Sequence, residues 1–135
     1  AGSTTTAPSA GYLGESITAN GKNVSIPASG NTINVTSISL TAGIWDVSAL
    51  SNFVCTGAVT ILSAGISTTS ATLGLTIGDN QANYTAAFSG AQIPMAIPQK
   101  RFTLTSTTTV YLCASATFST GAVNVYGRLS ATRVG

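Results

Sequence analysis

Charged residues are scarce in this sequence. Asp, Glu, Lys and Arg make up 6% of the 135 residues, whereas about 25% is usual in soluble domains. The net charge is +2, and only Lys100 and Arg101 among the five cations are adjacent. Binding of nucleic acid depends on clustered cations, because each phosphate contact adds affinity by releasing counterions. The composition therefore argues against a nucleic-acid partner. It predicts a surface of hydroxyl and amide groups, which suits a part held in a larger assembly.

Histidine is absent altogether. Its absence excludes a Ser-His-Asp or Cys-His catalytic site and any zinc site that needs imidazole. The acids are limited to Glu15, Asp46 and Asp79, which are far apart in the sequence. A glycosidase needs two carboxyl groups about 5–10 Å apart, and Asp46 beside Trp45 is a candidate for half of such a pair. We predict a protein that is not an enzyme and holds no metal or cofactor. A site shared between subunits is the remaining route to catalysis.

Long apolar runs are also lacking. No segment approaches the roughly 20 apolar residues of a membrane span, and the start AGSTTTAPSAG has neither the basic region nor the apolar core of a signal peptide. Cys55 and Cys113 are the only cysteines. A disulfide between them would close a long loop, but both lie in apolar, strand-like runs where a thiol packs as a small hydrophobe. We expect free, buried thiols.

Short runs of alternating apolar and polar residues recur along the chain, separated by Gly, Asn, Asp and Ser turn signals. Alternation at period two places the apolar side chains on one face of a strand, and no helical period of 3.6 is present. About eight short strands predict an all-β fold, an antiparallel β-sandwich of the jelly-roll type. Residues 1–10 lack periodicity and are predicted to be a linker or N-terminal arm. Residues 11–135 are predicted to form a single sandwich domain.

The segment Thr36–Leu50 is the predicted centre of the fold. Ile38 and Leu40 alternate with polar residues, Ala42-Gly43 interrupts the pattern, and a second alternating run begins at Ile44. Two strands joined by a short turn that contains glycine predict a β-hairpin.

The only tryptophan, Trp45, follows this turn directly. It has the parity of Val47 and Ala49, so we expect it in the core, packed against the facing sheet near Leu112 or Phe118. The alternative is that Trp45 lies at the surface and stacks on a sugar ring.

Interruptions of the alternation predict local irregularities. Asn20-Gly21-Lys22 indicates a turn, and the change of phase near Thr36-Ser37 indicates a bulge or a bend between sheets. Pro94 and Pro98 restrict their run to an edge strand, because proline donates no hydrogen bond to a ladder. Residues 79–92 show little periodicity and are predicted to be the longest loop.

Glu15 lies in an apolar segment, where an acid is costly unless it is paired. We predict that Glu15 pairs with Arg128 or Arg133, which would bring the first and last strands together.

Five segments follow one another in a recognisable order: 11–15 GYLGE, 34–47 NVTSISLTAGIWDV, 65–70 GISTTS, 109–112 TVYL and 126–134 YGRLSATRV. Together they resemble the small C-terminal β-domains of tailed-phage tail fibres and tailspikes and of related prophage proteins. The resemblance covers nearly the whole chain after residue 10. The chain departs from that pattern at Ile44, where an acidic residue is usual, and at Thr132, where a second arginine is usual.

The resemblance implies a homotrimeric virion component in the phage tail, assembled in the cytoplasm of the host bacterium, whose tip attaches to host receptors. Its partners would be bacterial surface polysaccharide or lipopolysaccharide and other virion tail proteins. For a glycan site we expect residues of the predicted loop: Tyr84, Phe88, Asn80 and Asn83. The alternative is a purely structural trimerisation domain or a capsid decoration protein such as a head fibre.

Overall fold

The computed structural model describes residues 12–73 and 81–135. The predicted arm 1–10 lies outside these residues. The described part consists of eight strands: β1 (Ser16–Ser25), β2 (Thr32–Leu40), β3 (Gly43–Cys55), β4 (Ala58–Ser67), β5 (Gln81–Ser89), β6 (Gln92–Leu104), β7 (Thr108–Phe118) and β8 (Val123–Arg133). It contains no helix long and apolar enough to span a membrane.

The strands form two four-stranded antiparallel sheets. Sheet A has the order β1-β8-β3-β6, and sheet B has the order β2-β7-β4-β5. Among the described strands, β4 and β5 are the one consecutive pair within a sheet, and every other connection passes from one sheet to the other. Two packed sheets with this order form a jelly roll. The predicted all-β, jelly-roll-like sandwich is therefore confirmed.

The hairpin predicted within Thr36–Leu50 is wrong. β2 pairs with β7 in sheet B, where Ile38 lies opposite Val110, whereas β3 pairs with β6 and β8 in sheet A. The short Ala42-Gly43 connection therefore joins the two sheets rather than two neighbouring strands. Alternation assigns a residue to a face of its strand and carries no information on which strand lies beside it.

The core lies between the sheets and is built from the apolar face of each strand. Trp45 of β3 is fully buried, as its parity predicts. It belongs to the same core cluster as Leu112, and Phe118 packs against that cluster. The indole N–H donates to the backbone oxygen of Thr41 at 2.9 Å, so the polar atom of the buried ring is satisfied.

Two of the predicted irregularities are confirmed. The register of β2 shifts between Asn34 and Thr36, which is a bulge at the predicted change of phase. β6, which carries Pro94 and Pro98, lies at the edge of sheet A. It continues to Leu104 as one strand.

Two other predictions are wrong. Residues 20–22 lie inside β1, where the register shifts between Gly21 and Val24, so the Asn-Gly signal marks a bulge rather than a turn. Residues 81–89 of the predicted loop form β5, which pairs with β4 at the edge of sheet B. An edge strand has one neighbour and partly open faces, so its sequence needs little alternation.

Both cysteines are free and buried. Cys55 lies in β3 of sheet A, and Cys113 lies in β7 of sheet B. The thiol of Cys113 donates to Asn34 Oδ1 at 3.4 Å, and the backbone N–H of Ala71 donates to the same oxygen at 2.7 Å. The segment after β4 therefore covers Cys113 on the outer face of sheet B.

Candidate functional site

The residues expected at a glycan site lie on or near β5. Asn83 is opposite Ser63 and Tyr84 is opposite Leu62, so these neighbours point to opposite faces of sheet B. Tyr84 is 39% exposed. Phe88 belongs to β5, but its side chain and the whole of Asn80 lie outside the described part of the structure. The described atoms thus do not bring Tyr84 and Asn83 together on one surface.

Glu15 pairs with Arg133 and not with Arg128. Arg133 Nε lies 3.3 Å from Glu15 Oε1, and both side chains are almost buried. The same guanidinium donates to the hydroxyl of Thr41 and to the backbone oxygens of Ala42 and Gly135. Arg128 is five positions away, an odd number, so strand alternation places it on the opposite face of β8. Arg133 and these partners lie together at one end of the sandwich, where they stabilise the fold.

Asp46 lies on the outer face of sheet A and is held by Arg101. Arg101 Nε lies 2.8 Å from Asp46 Oδ1, and Nη2 lies 3.1 Å from Oδ2. The hydrogen bonds from Arg101, despite some desolvation, hold the pKa of the Asp46 carboxyl below its usual value. An ionised, paired carboxylate cannot serve as a general acid. Glu15 lies on the inner side of the same sheet, so these two acids do not form a glycosidase pair.

The described residues also contain no group of three or more His, Cys, Asp or Glu side chains that could hold a metal ion. Asp79 lies outside the described residues.

An open depression of about 390 Å³ lies on the outer face of sheet A. We call it the sheet A depression. Its lining comes from β1, β3 and β8: Asn20, Gly21, Lys22, Leu50, Asn52, Tyr126, Gly127 and Arg128.

The strand register builds the walls of the depression. Arg128 of β8 lies opposite Asn20 on one neighbouring strand and opposite Leu50 on the other. Tyr126, two residues along β8, lies opposite Asn52. Side chains directly opposite each other in an antiparallel pair have Cβ atoms about 5 Å apart. The register therefore gathers an aromatic ring, a guanidinium and two amides within one small area.

The bulge in β1 adds a second cation. The register shift between Gly21 and Val24 inserts an extra residue opposite β8, and Asn23 takes a positive φ of 51°. Bulges re-aim side chains that a regular strand would place elsewhere. Here Lys22 joins the lining of the depression and is exposed.

The two sheets approach each other closely beneath the depression. Gly21 and Gly127 lie opposite each other and face inward. A Cβ on Gly21 would lie 2.1 Å from the backbone oxygen of Val35, and a Cβ on Gly127 would lie 2.7 Å from Leu112 Cδ2. Residues of sheet B therefore pack directly beneath the floor of the depression.

The chemistry of the lining is mixed. Tyr126 is 40% exposed and Leu50 is 45% exposed, so an apolar surface faces solvent beside Lys22 and Arg128. No carboxylate is among the described lining residues. Such a surface can stack a ring, donate hydrogen bonds and attract negative charge.

Sequence reasoning did not identify this site, although one signal was present. Tyr126 and Arg128 share the polar face of the last strand by simple alternation. The contributions of Lys22, Leu50 and Asn52 depend on strand neighbours, which alternation does not specify.

Comparisons with known proteins give a fold and no family. No family model and no curated protein sequence matches this chain. The structure of infectious bursal disease virus strain Gx matches with a TM-score of 0.58 and 16% identity over 88% of this chain. The VP2 subviral particle of infectious bursal disease virus matches with a TM-score of 0.53 and 13% identity over 90%. T=1 particles derived from this virus match with a TM-score of 0.55 and 16% identity over 90%.

This chain spans about one third of the length of those chains, namely 32%, 33% and 32%. At such low identity the similarity concerns the fold alone: these virus proteins contain a β-sandwich of the same kind.

Proposed function

We propose that this domain is a non-enzymatic virion component that attaches a bacteriophage tail fibre or tailspike to glycans on the bacterial surface. The observation that carries the proposal is the sheet A depression, which is open and places Tyr126 beside two amides and two cations. Protein sites for sugars combine an aromatic ring, which packs on the apolar face of a pyranose, with polar groups for the hydroxyls.

Two further features support a place in a virion. The jelly roll is similar in fold to the infectious bursal disease virus structures. Only 6% of residues are charged, which favours a domain held in an assembly. The five ordered segments that resemble phage tail fibres and tailspikes supply the narrower assignment to a phage tail, with assembly in the host cytoplasm beside other tail proteins.

The proposed assembly is a homotrimer. Three copies present three depressions to one bacterial surface, and linked sites can raise the total avidity by about 10²–10⁴ without any new contact. Weak binding by a single shallow site is then sufficient for host attachment.

We propose no catalytic role for the two acids that the structure describes. Glu15 pairs with Arg133, and Asp46 pairs with Arg101. Neither is poised for acid–base chemistry at a shared site.

A structural role, in trimerisation or as a capsid decoration protein, is the second candidate. It is favoured by one observation, the similarity of the fold to proteins of infectious bursal disease virus particles. A count of copies per virion separates the two, because a head decoration protein occurs in many more copies than a tail tip.

Binding of the fluorescently labelled domain to host cells and to a glycan array tests the attachment role. We expect Tyr126→Ala to weaken binding by at least about tenfold and Tyr84→Ala to leave it unchanged. The reverse result would place the site on β5, and the absence of binding by the unmodified domain to any cell or glycan would favour the structural role. Light scattering should give three times the chain mass of 13.4 kDa.

A further inference from the structure

We propose that the sheet A depression binds an acidic polysaccharide, a linear glycan with carboxylate or phosphate groups, rather than a neutral one. This inference rests on the proposed attachment function and specifies the chemical class of its ligand. Three features of the depression support it: the sign of its charge, the position of its aromatic ring and its extension along the sheet.

The depression carries positive charge with no compensating acid among the described lining residues. Lys22 and Arg128 are both exposed there. Arg101, by contrast, lies on the same outer face of sheet A but is bonded to Asp46 at 2.8 Å. A neutral glycan gains little from two cations, whereas charge-assisted hydrogen bonds to a carboxylate or phosphate are about twice as strong as neutral ones.

Lys22 and Arg128 lie beside the groups that would bind a sugar ring. Arg128 is two residues from Tyr126 on the same face of β8, and Asn52 lies opposite Tyr126. Residues two apart on a strand are separated by about 7 Å. This spacing allows one pyranose to stack on Tyr126 while an acidic substituent of that residue or the next one reaches Arg128.

The site continues past Arg128. A smaller depression of about 90 Å³ is lined by Ser48, Ala49, Leu50, Arg128 and Ser130. Leu50 and Arg128 line both depressions. The two depressions therefore form one continuous track across sheet A, with Arg128 in its middle. Such a track suits several units of a chain polymer rather than a single small ligand.

Two other occupants fit less well. A second copy of this chain would bring the same two cations, and its Glu15 and Asp46 already face Arg133 and Arg101. Nucleic acid requires more phosphate contacts than two cations provide, since each contact adds only one increment of counterion release.

The test measures binding of the full chain to four immobilised polymers: a polyuronate, a poly(glycerol phosphate), neutral dextran and single-stranded DNA. We expect the polyuronate to bind with an affinity that falls as salt is raised, because exposed charges are screened over about 10 Å at 0.1 M. The poly(glycerol phosphate) has no sugar ring in its backbone, so a preference for it over the polyuronate would overturn the proposal, because its ligand would then have no ring to stack on Tyr126.

Three variants assign the binding to the depression. The double variant Lys22→Gln/Arg128→Gln should lower affinity for the polyuronate by at least about tenfold. Tyr126→Ala should lower it by a comparable factor. The matched control is Arg101→Gln, which removes one exposed cation from the same sheet face outside the depression and should leave the affinity unchanged.

The outcomes separate this inference from the proposed function. Equal binding of dextran and polyuronate, or an unchanged affinity in the Lys22/Arg128 double variant, overturns the acidic ligand and leaves glycan attachment standing. An equal loss in Arg101→Gln shows a non-specific charge effect and also overturns it. A preference for DNA overturns both. All variants alter exposed side chains, and their melting temperatures are measured alongside to verify folding.

Discussion

The guanidinium of Arg133 lies 4.6 Å from the centre of the Trp45 ring. The two residues are directly opposite each other on β8 and β3, so the sheet register itself creates the contact. A cation over the face of an indole is attracted by the ring quadrupole, more strongly when both are withdrawn from water. The same guanidinium reaches Glu15 and two backbone oxygens. Arg133 therefore links Glu15, the residue before β1, to Trp45 of β3 and to Gly135.

We predict that Arg133→Leu lowers the free energy of unfolding by about 3–5 kcal/mol, because it removes an almost buried guanidinium that pairs with Glu15 and donates to Thr41 and two backbone oxygens. Glu15→Gln should cost only about 1 kcal/mol, since Arg133 retains Thr41 and two carbonyl acceptors. Urea denaturation measures both. Arg128→Gln is the control, with no resolvable change, and a loss in Arg133→Leu no larger than in this control would contradict the role of Arg133.

Trp45 should behave as a core reporter. Because its side chain is fully buried, its fluorescence should be blue-shifted and only weakly quenched by acrylamide. Addition of a saturating polyuronate should leave the spectrum unchanged, since the sheet A depression is on the other face of the sheet. Red-shifted emission that a glycan quenches would move Trp45 into the binding site.

Gly21→Ala should destabilise the domain by about 3 kcal/mol through overpacking, because the new methyl would meet the backbone oxygen of Val35, which cannot move aside as a side chain can. Gly90→Ala is the matched control. Gly90 has a positive φ of 59° but nothing within 4 Å of the added carbon, so its cost is the backbone strain alone, about 1 kcal/mol. Equal shifts in the melting temperatures of the two variants would show that the close approach of the sheets is not limiting.

Because both thiols are buried, we predict that the domain loses stability at alkaline pH. Burial raises the pKa of Cys55 and of Cys113, and in Cys113 hydrogen bonds from the backbone of Thr72 and Ala71 partly oppose the shift. A folded-state pKa above the unfolded value means that the folded protein holds the proton more tightly. The contribution of each buried thiol to the free energy of unfolding is therefore complete below the pKa of the unfolded state, about 8.5. It is lost as the pH rises through the raised pKa of the folded state.

The measurement is the free energy of unfolding between pH 7 and pH 10, with Cys55→Ala/Cys113→Ser as the comparison. The variant should show a flatter profile than the parent. Parallel profiles would assign the alkaline loss to other groups. Thiol reagents at pH 8 should label both cysteines of the parent only after denaturant is added.

The sequence predicts which face of its strand a residue lies on better than it predicts which strands lie side by side. The parity of Trp45 places it in the core, and the parity of Arg133 with Leu129 and Ala131 marks it as the inward arginine, so the correct partner of Glu15 could have been chosen over Arg128. The sandwich class followed from strand count and turn spacing. These properties depend on local alternation, which a single sequence contains.

Which strands lie side by side could be learned only from the structure. The segment around Ala42-Gly43 has the local pattern of a hairpin, yet it connects two sheets, because β3 finds its partners far along the chain. The sheet A depression depends on the same long-range pairing. β5 was predicted to be a loop, because an edge strand with small and polar residues has the composition of a loop.

The position of β8 in sheet A has a consequence for how the chain is made. β8 is the last of the eight strands to leave the ribosome, and it lies between β1 and β3. Among the described strands, β1 is made first and pairs with β8 alone. At about 5–20 residues per second, on the order of ten seconds pass before that partner has been made. During synthesis β1 and the facing edge of β3 remain unpaired and open to the same strands of neighbouring nascent chains. Polyribosomes that carry several copies therefore present the strand edges most prone to intermolecular exchange, and the yield of native protein should fall as translation slows between Ser25 and Val123.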